Sequence, residues 1–179
     1  MEPLKPFSVL HHLSLVVRDL DAAVRFLEST GIGPFVDYPP MREYTRLDVP
    51  DEEGFFNTAI KCAMIGPVQL QVVQPGKGRS IYKDFLEQKG EGVFHLGFVV
   101  EDIATSEAKV AAMGLEVLSS GRRENGSGFA YFNTADKCGV TLLVRQSPPV
   151  TAPPASRLLP VPSPAAVARH PPCRSFPAQ

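Results

Sequence analysis

The chain has few cysteines, no long apolar run and almost no net charge. Its three cysteines, Cys62, Cys138 and Cys173, stand far apart and form no Cys-x-x-Cys pair. This spacing argues against a disulfide framework and against a zinc site, and it predicts reduced thiols in a cytoplasmic protein. No apolar run reaches the length of a membrane span, and residues 1–7 lack the apolar core of a signal peptide.

The charge balance excludes further classes of partner. A formal net charge of -1 over 179 residues gives no reason to expect a nucleic acid or an anionic membrane as a partner. Acidic residues are absent from 147–179, and this segment holds ten of the eighteen prolines. We therefore predict that 147–179 is a Pro/Ala-rich disordered tail that follows a globular domain over 9–146.

One nine-residue segment occurs twice, 83 residues apart. His12–Leu20 reads HLSLVVRDL, and His95–Ile103 reads HLGFVVEDI. The register holds without a gap as far as Gly31 and Gly114. Each copy places a histidine in an apolar, strand-like run and an aspartate at the start of a helix, which indicates two copies of one structural unit.

The first copy, over residues 9–75, is predicted to contain a strand, a helix and three further strands. Residues 9–17 are rich in Val and Leu and fit a strand. Asp19 can N-cap the helix, whose apolar stripe consists of Leu20, Val24 and Leu27. Turns, the first of them at 51–54, separate the three strands that follow: Glu43–Val49, Phe55–Ile65 and Val68–Gln74.

The second copy, over residues 93–146, repeats this order after a linker helix over 80–89. The linker helix is predicted to turn three apolar side chains inward: Ile81, Phe85 and Leu86. Asp102 is the expected N-cap of the second-copy helix, whose apolar stripe consists of Ile103, Val110 and Met113. The strands are Val93–Val100, Leu115–Arg123, Gly128–Thr134 and Val140–Gln146. The sequence thus predicts an α+β fold in which two tandem βαβββ modules form one curved mixed sheet around a central cavity.

Strand alternation directs side chains of both copies toward one point. The strand 68–74 has one apolar face of alternate residues, so Gln71 on its other face points toward a polar or ligand-lined space. The matching strand of the second copy carries Thr141, Leu143 and Arg145 on the corresponding face. If the first and last strands of each module converge, four positions meet: His12, Gln71, His95 and Leu143.

Further motifs accompany the two His-Leu-x-x-Val-Val-x-Asp segments. They are LQVVQP at 70–75, SIYKDFL at 80–86, GEGVFH at 90–95 and GFAYFNT at 128–134. With these motifs the chain resembles, over about residues 9–147, the vicinal oxygen chelate superfamily of glyoxalases, bleomycin resistance proteins and dioxygenases. It is most similar to the branch that contains methylmalonyl-CoA epimerase. The resemblance implies a sheet that curls round a divalent metal, such as Co, Mn, Ni, Zn or Fe.

The resemblance also implies three metal ligands, which are His12, Gln71 and His95. The epimerases take a fourth ligand from a glutamate on the last strand, and Leu143 stands at that position here. Two neutral imidazoles and an amide offer no negative charge to a dication. The missing carboxylate should therefore weaken metal binding unless hydroxide or an anionic substrate supplies the charge.

The sequence identifies no catalytic base. The epimerases carry a further catalytic carboxylate on the third strand, whereas residues 56–62 contain neither Asp nor Glu. The remaining candidates for acid–base work are Lys61, Glu43, Glu53, Asp136, Tyr44 and Tyr131, and each is of a kind more often found in solvated or structural positions. Two basic pairs could hold the phosphates of a CoA substrate: Lys77 with Arg79, and Arg122 with Arg123.

Three functions remain open at this point. The first is a metal-dependent epimerase or isomerase that acts on a small carbonyl or acyl-CoA acid through enolate chemistry. The second is a metal-free small-molecule-binding module of the glyoxalase/bleomycin-resistance type, and the third is a degenerate paralogue with a structural or regulatory role. A dioxygenase is disfavoured, because the iron site of such enzymes consists of two histidines and a glutamate, and the glutamate is missing here. Many members of the superfamily are dimers, so we expect a homodimer.

Overall fold

Nine strands and five α-helices occur in residues 5–147, the part of the chain that the computed structural model describes. The strands are β1 (Leu10–Val16), β2 (Val36–Asp37), β3 (Arg46–Asp48), β4 (Ala59–Ile65), β5 (Val68–Gln74), β6 (Gly92–Val99), β7 (Val117–Arg122), β8 (Gly128–Phe132) and β9 (Thr141–Gln146). The helices are α1 (Leu20–Ser29), α2 (Glu52–Phe56), α3 (Ile81–Lys89), α4 (Ile103–Ala112) and α5 (Ala135–Cys138). Apart from Ser147, the predicted tail lies outside the described residues.

The strands form one open, curved sheet in the order β2-β4-β5-β1-β6-β9-β8-β7-β3. The two sequence copies meet at its centre, where β1 and β6 pair antiparallel. Within the copies, β1 runs parallel to β5 and β6 runs parallel to β9. The predicted α+β class and the single curved mixed sheet are therefore confirmed. No helix within residues 5–147 is long and apolar enough to cross a membrane.

The sequence repeat corresponds to a repeat of contacts. The backbone N–H of Leu20 donates to Oε1 of Gln74 at 2.8 Å, and the N–H of Ile103 donates to Oε1 of Gln146 at 3.0 Å. Leu20 and Ile103 begin α1 and α4, while the two glutamines end β5 and β9. The last strand of each copy thus satisfies an otherwise unpaired amide at the start of that copy's helix.

The two capping aspartates act as predicted. Oδ1 of Asp19 accepts a hydrogen bond from the N–H of Ala22 at 2.8 Å, and Oδ1 of Asp102 accepts one from Thr105 at 2.6 Å. The apolar stripes of α1 and α4 cover one face of the sheet, where they pack against Leu70, Val72, Ala130, Phe132 and Val144. Met113 does not share this packing. It is 64% exposed, because it follows the last turn of α4 as the C-cap residue.

The segment predicted as a turn and the start of a strand is instead a short helix. Oδ1 and Oδ2 of Asp51 accept hydrogen bonds from the N–H groups of Glu53 and Gly54, which starts α2. Phe55 and Phe56 therefore belong to α2, and the strand begins only at Ala59. The prediction of a strand over Phe55–Ile65 was wrong in its first residues, because a side-chain cap overrode a local pattern typical of strands.

The second strand of the first copy crosses to the other half of the sheet. β3 is shorter than the predicted Glu43–Val49 and pairs with β7 rather than with a strand of its own copy. The two-residue β2, which the sequence did not predict, pairs with β4. The chain between β2 and β3 contains two prolines and a 3₁₀ turn at Met41–Glu43. This connection leads the chain from one edge of the sheet to the opposite edge.

Aromatic side chains cover the face of the sheet opposite to α1 and α4. Tyr44, Tyr82, Phe94, Phe129 and Tyr131 form the buried centre of this cluster, together with Val16, Val73 and Leu143. The inward residues predicted for α3, Ile81, Phe85 and Leu86, pack against it. α3 therefore connects the two copies and contributes to the aromatic cluster.

Candidate functional site

A central cavity lies on the aromatic face of the sheet and is lined by residues of both halves. Its aromatic lining consists of Tyr38, Tyr44, Phe55, Tyr82, Phe129 and Tyr131. The other lining side chains are His12, Met41, Ile60, Gln71, Leu143 and Arg145. Its volume is about 40 Å³, which is room for a compact chemical group or a few waters. A wider depression of about 260 Å³ adjoins it, since Tyr38, Met41 and Ile60 line both.

The two repeated histidines are in direct contact beside the cavity. Nε2 of His12 lies 2.9 Å from Nε2 of His95, and the ring planes are 87° apart. His12 is 3% exposed and His95 is fully buried. The antiparallel pairing of β1 with β6 brings these positions together, because it sets Ser14 opposite His95 and His12 opposite Gly97. One imidazole donates to the other, so at least one of the two rings carries its proton on Nε2.

A third imidazole and a guanidinium continue this chain of contacts. Nδ1 of His11 lies 2.9 Å from Nδ1 of His12, and Nη1 of Arg145 lies 3.4 Å from Nε2 of His11. Burial, and then the charge of Arg145, lowers the pKa of His11 to about 4. Burial lowers the pKa of His95 to about 3 and that of His12 further still, with smaller contributions at His12 from His95, His11 and Arg145. All three rings are therefore neutral near pH 7.

Gln71 and Leu143 occupy equivalent positions in the two halves. Gln71 pairs with Ser14 across the parallel β1–β5 ladder, and Leu143 pairs with Gly97 across β6–β9. The Gln71 amide donates from Nε2 to Oε1 of Gln69 at 2.8 Å, which leaves the Gln71 carbonyl oxygen available toward the cavity. The structure thus brings His12, Gln71 and Leu143 to one cavity, with His95 directly behind His12. The role of His12, Gln71 and His95 as metal ligands stays a prediction.

The residues present do not fit a tightly held resident dication. The three potential ligands are neutral, and Leu143, which is 3% exposed, contributes hydrocarbon where a carboxylate would be needed. A ligating histidine normally donates its second ring nitrogen to an acceptor. Nδ1 of His95 is buried and has no hydrogen-bond partner within the described residues. Residues 5–147 also contain no group of three or more His, Cys, Asp or Glu side chains that could hold a metal.

The carboxylates and the lysine considered as bases are all outside the cavity lining. Lys61 forms an ion pair with Asp37 at 3.1 Å, and Glu43 forms one with Arg123 at 3.2 Å. Glu53 pairs with Lys77 at 3.5 Å, and Asp136 is exposed in α5. None of these four side chains is placed to exchange a proton with a molecule in the cavity.

The tyrosines do line the cavity. Burial raises the pKa of both Tyr44 and Tyr131, so their hydroxyls stay protonated and can only serve as neutral donors or acceptors. The hydroxyl of Tyr131 forms a buried hydrogen bond of 2.6 Å with that of Tyr82, a residue that the sequence did not single out. The bond holds two phenol rings from α3 and β8 together at the wall of the cavity.

The two basic pairs proposed for phosphate binding are already engaged. Lys77 and Arg79 pair with Glu53 and Asp84. Arg122 forms a hydrogen-bonded ion pair with Glu107, and Arg123 lies over the ring of Tyr44 at 4.2 Å while it pairs with Glu43. These cations have intramolecular partners, so the structure offers no support for a phosphate site there.

Two further residues shape the site. Arg145 lines the cavity on the same strand face as Leu143, and strand alternation places it there correctly although it indicates no role. Gly97 lies against the ring of His12, where a Cβ atom would fall 1.9 Å from Cε1. The only sequence signal for Gly97 is that it replaces the Ser14 of the first copy within the repeated segment.

Comparisons with known proteins give a consistent result. The sequence profile of a family described as Glyoxalase/Bleomycin resistance protein/Dioxygenase superfamily matches residues 11–132. A structure of methylmalonyl-CoA epimerase from Mycobacterium tuberculosis is similar with 19% identity, coverage of 83% of this chain and 94% of that chain, and a TM-score of 0.61. A Streptomyces coelicolor methylmalonyl-CoA epimerase variant in complex with 2-nitronate-propionyl-CoA shows 25% identity, coverage of 79% and 98%, and a TM-score of 0.59. A methylmalonyl-CoA epimerase in complex with methylmalonyl-CoA and NH4+ shows 25% identity, coverage of 82% and 99%, and a TM-score of 0.60. A search of curated proteins gave no match.

Proposed function

The chain belongs to the glyoxalase/bleomycin resistance protein/dioxygenase superfamily, and within it we propose that it binds a small organic molecule in the central cavity without a resident metal. The superfamily predicted from the sequence is confirmed by this match. One observation carries the proposal: phenyl and phenol rings supply half of the described lining residues of the cavity, and no Asp or Glu is among them. Aromatic walls with a few polar groups are typical of a ligand site.

The same lining argues against proton-transfer chemistry. Epimerisation needs a base on one face of the substrate and an acid on the other. The lowered pKa values of His12 and His95 make both rings weak bases, and the raised pKa values of Tyr44 and Tyr131 keep the phenols protonated. The cavity therefore has groups that can hold and orient a ligand, but no group suited to remove a proton from carbon.

A block of the cavity tests the proposal. Ile60 lines both the cavity and the adjoining depression, so Ile60→Trp should fill the passage between them. Phe26 lies in α1 and is 67% exposed, which makes Phe26→Trp the control for an added indole ring away from the cavity. Ligand-observed NMR on the full chain, with a mixed set of neutral, anionic and cationic small organic compounds, should find binders that Ile60→Trp loses and Phe26→Trp retains. Equal binding to all three proteins would contradict the proposal.

A metal-dependent isomerase is the second candidate, and one contact favours it. The 2.9 Å approach of the His12 and His95 Nε2 atoms, next to the free carbonyl of Gln71, brings three potential ligands together. In this candidate, His12, Gln71 and His95 would bind a divalent metal only together with an anionic substrate that supplies the missing charge. The substrate would be a small carbonyl or acyl-CoA acid, since similar structures hold methylmalonyl-CoA or 2-nitronate-propionyl-CoA.

Metal content separates the two candidates. The full chain is purified without chelator, supplemented with Mn, Co, Ni and Zn, and analysed for bound metal beside a His12→Ala, His95→Ala double variant. Metal well below one equivalent in both proteins is expected for the binding module. Stoichiometric metal that the double variant loses, with deuterium exchange at the α-carbon of methylmalonyl-CoA, would support the isomerase instead.

We also propose that the protein is a cytoplasmic homodimer. Val36, Met64 and Ile65 are exposed apolar side chains on β2 and β4, which lie next to each other at one edge of the sheet and offer a surface for a second copy. The wide spacing of the cysteines favours a reducing compartment, and within residues 5–147 the thiols of Cys62 and Cys138 are free. Sedimentation of the full chain and of Met64→Lys tests the assembly: a dimer that the variant weakens is expected, and a monomer at all concentrations would contradict it.

A further inference from the structure

The cavity carries a positive charge that no neighbouring carboxylate balances. Arg145 lines it, and Asp and Glu are absent from the lining. Within residues 5–147 the Arg145 guanidinium has two kinds of partner. Nη2 donates to Oγ of Ser147 at 3.3 Å, and Nη1 lies 3.4 Å from a ring nitrogen of His11. Neither partner carries a negative charge, because one is a hydroxyl and the other a neutral imidazole.

The other partly buried arginines of the described chain show what is missing. Arg122 and Arg123 are, like Arg145, neither fully buried nor exposed. Arg122 is paired with Glu107 and Arg123 with Glu43. A partly desolvated guanidinium is costly unless an anion accompanies it, and the sequence provides that anion in two of the three cases. Only Arg145, among these three, lacks an anionic partner within the described residues, and it is the one that lines the cavity.

The charge of Arg145 reaches the groups around the cavity. It contributes to the lowered pKa of His11 and of His12, in both cases after the larger effect of burial. It also opposes the rise that burial causes in the pKa of Cys62 and Tyr44. All four effects have the sign of a nearby cation, which disfavours further positive charge and favours negative charge.

The geometry therefore points to an anion as the missing partner, and we propose that Arg145 binds the carboxylate of an aromatic monocarboxylic acid whose ring packs against the aromatic wall of the cavity. This inference rests on the proposed function and names its ligand class. A planar guanidinium matches a carboxylate with two parallel hydrogen bonds. Phe55, Phe129 and Tyr131 supply faces and edges for a flat apolar body. Leu143, two residues before Arg145 on the same strand, adds an apolar contact in place of a second charge.

The size of the site sets the shape of the ligand. The cavity of about 40 Å³ accepts the carboxylate and the side of the ring nearest to it, and the adjoining depression of about 260 Å³ accepts the rest of the molecule. Tyr38, Met41 and Ile60 form the shared wall between the two spaces. A short, flat acid that enters from the depression with its carboxylate first would bring the charge to Arg145 and leave its ring among the aromatic side chains.

Matched acids and amides test the role of charge. Benzoate, phenylacetate and 3-phenylpropionate are titrated into the full chain by isothermal calorimetry, each beside its primary amide, which has nearly the same shape without the charge. We expect at least one acid to bind more tightly than its amide by roughly tenfold to a hundredfold, as a charge-assisted pair contributes. An amide that binds as tightly as its acid, for all three pairs, would overturn the proposal.

Variants of Arg145 assign the effect to one side chain. Arg145→Met should remove the preference for the acid, and Arg145→Lys should keep part of it. Arg25→Met is the control, since Arg25 is an exposed residue of α1 on the helical face of the sheet. Circular dichroism and thermal unfolding establish that each variant folds. If Arg145→Met does not fold, two measurements replace it: the acid affinity of Arg145→Lys, and the acid affinity of the wild type at rising NaCl. An affinity that neither the lysine nor the added salt lowers would contradict the proposal.

The outcomes distinguish this inference from the proposed function. One outcome separates the two proposals: neutral or cationic compounds bind to the wild type but not to Ile60→Trp, and no acid binds more tightly than its amide. This result would uphold the small-molecule function and overturn the role of Arg145. A failure of all three compound classes to bind would contradict both. Acid binding that Arg145→Met abolishes and Arg25→Met leaves intact would support both.

Discussion

Gly97 of β6 lies directly against the imidazole of His12 on β1. The two residues are opposite each other in the antiparallel pair, and a Cβ atom at position 97 would fall 1.9 Å from Cε1 of His12 and 2.4 Å from either ring nitrogen. In the first copy the corresponding residue is Ser14, which has a side chain. The second copy therefore has a glycine, without a side chain, at the position where the ring of His12 passes to contact His95.

This contact predicts a large effect from one added methyl group. Gly97→Ala should displace the His12 ring and lower the free energy of unfolding by about 1–3 kcal/mol, as overpacked core positions do. Urea denaturation measures the loss. In a His12→Ala background the ring is gone, so the added Cβ has space and the cost of Gly97→Ala should fall below about 1 kcal/mol. An equal cost in both backgrounds would show that the strain has another source.

A carboxylate restored at position 143 should create a metal site. Leu143→Glu places an anion beside His12 and Gln71, and the purified variant is expected to retain about one metal per chain, with a melting temperature that rises on addition of Mn or Co. The metal-free variant should be less stable than wild type by about 2 kcal/mol or more, because the new charge is buried.

Leu143→Gln is the matched control for that experiment, since it has the same size without the charge. Arg145→Met in the Leu143→Glu chain removes the guanidinium that would compete for the new carboxylate, and should raise metal affinity further. Metal content measured by mass spectrometry gives the result. No more metal in either glutamate variant than in Leu143→Gln would contradict the prediction.

The buried histidines predict loss of stability on acidification. The pKa of His95 is about 3 in the folded chain and 6.5 when the imidazole is exposed to water, as in the unfolded chain. Between these two pH values the unfolded state binds a proton at His95 and the folded state does not. Above pH 6.5 this group has no effect, and between pH 6.5 and about 3 it lowers the free energy of unfolding, by up to about 1.4 kcal/mol per pH unit. Urea titrations between pH 7.5 and 5 measure how the free energy of unfolding depends on pH. This dependence should be weaker in His95→Gln, by the contribution of about one proton taken up on unfolding. Parallel curves for the two proteins would exclude His95 as the cause.

The glutamines at the ends of β5 and β9 should matter equally. Gln74→Met and Gln146→Met remove the oxygens that accept from the N–H groups of Leu20 and Ile103, and each should cost about 1–2 kcal/mol. Gln→Glu at either position keeps the acceptor and places a negative charge at a helix N-terminus, so it should be neutral or stabilising. Thermal unfolding of the four variants tests whether both contacts act alike. If only one of the two methionine variants is destabilised, the two contacts have the same geometry but do not contribute equally to stability.

Much of the fold could be predicted from the sequence because its signals are local or repeated. Asp19 and Asp102 cap their helices through contacts three residues away, which a short stretch of sequence contains in full. The constant offset of 83 residues made the second copy a check on the first, and strand alternation turned His12, Gln71 and Leu143 toward the same cavity. These features depend on backbone geometry that every residue of a helix or strand shares.

Where the prediction was wrong, either a side-chain cap or a contact with a distant segment decided the structure. Phe55 and Phe56 read as strand residues, but the Asp51 carboxylate and the close approach of Gly54 to the backbone of Arg79 hold them in α2. β3 left its own copy to pair with β7, and nothing in Arg46–Asp48 itself identifies that partner. The partner of a strand depends on the turns and connections that precede and follow the strand. It also depends on which strand edges are still free to pair elsewhere in the sheet.

For the site, the sequence by itself predicted that His12, Gln71, Leu143 and Arg145 lie on the cavity face, and it determined that the last strand of the second copy lacks a carboxylate. Only the tertiary structure decided what this lack produces. It showed two neutral imidazoles in contact, tyrosines joined through their hydroxyls, and Arg145 without an anion. The charge state of a group depends on its burial and on neighbours from other strands, and a linear pattern contains neither. The repeat therefore predicts where the site is, and the packing of the two halves determines what charge it presents to a ligand.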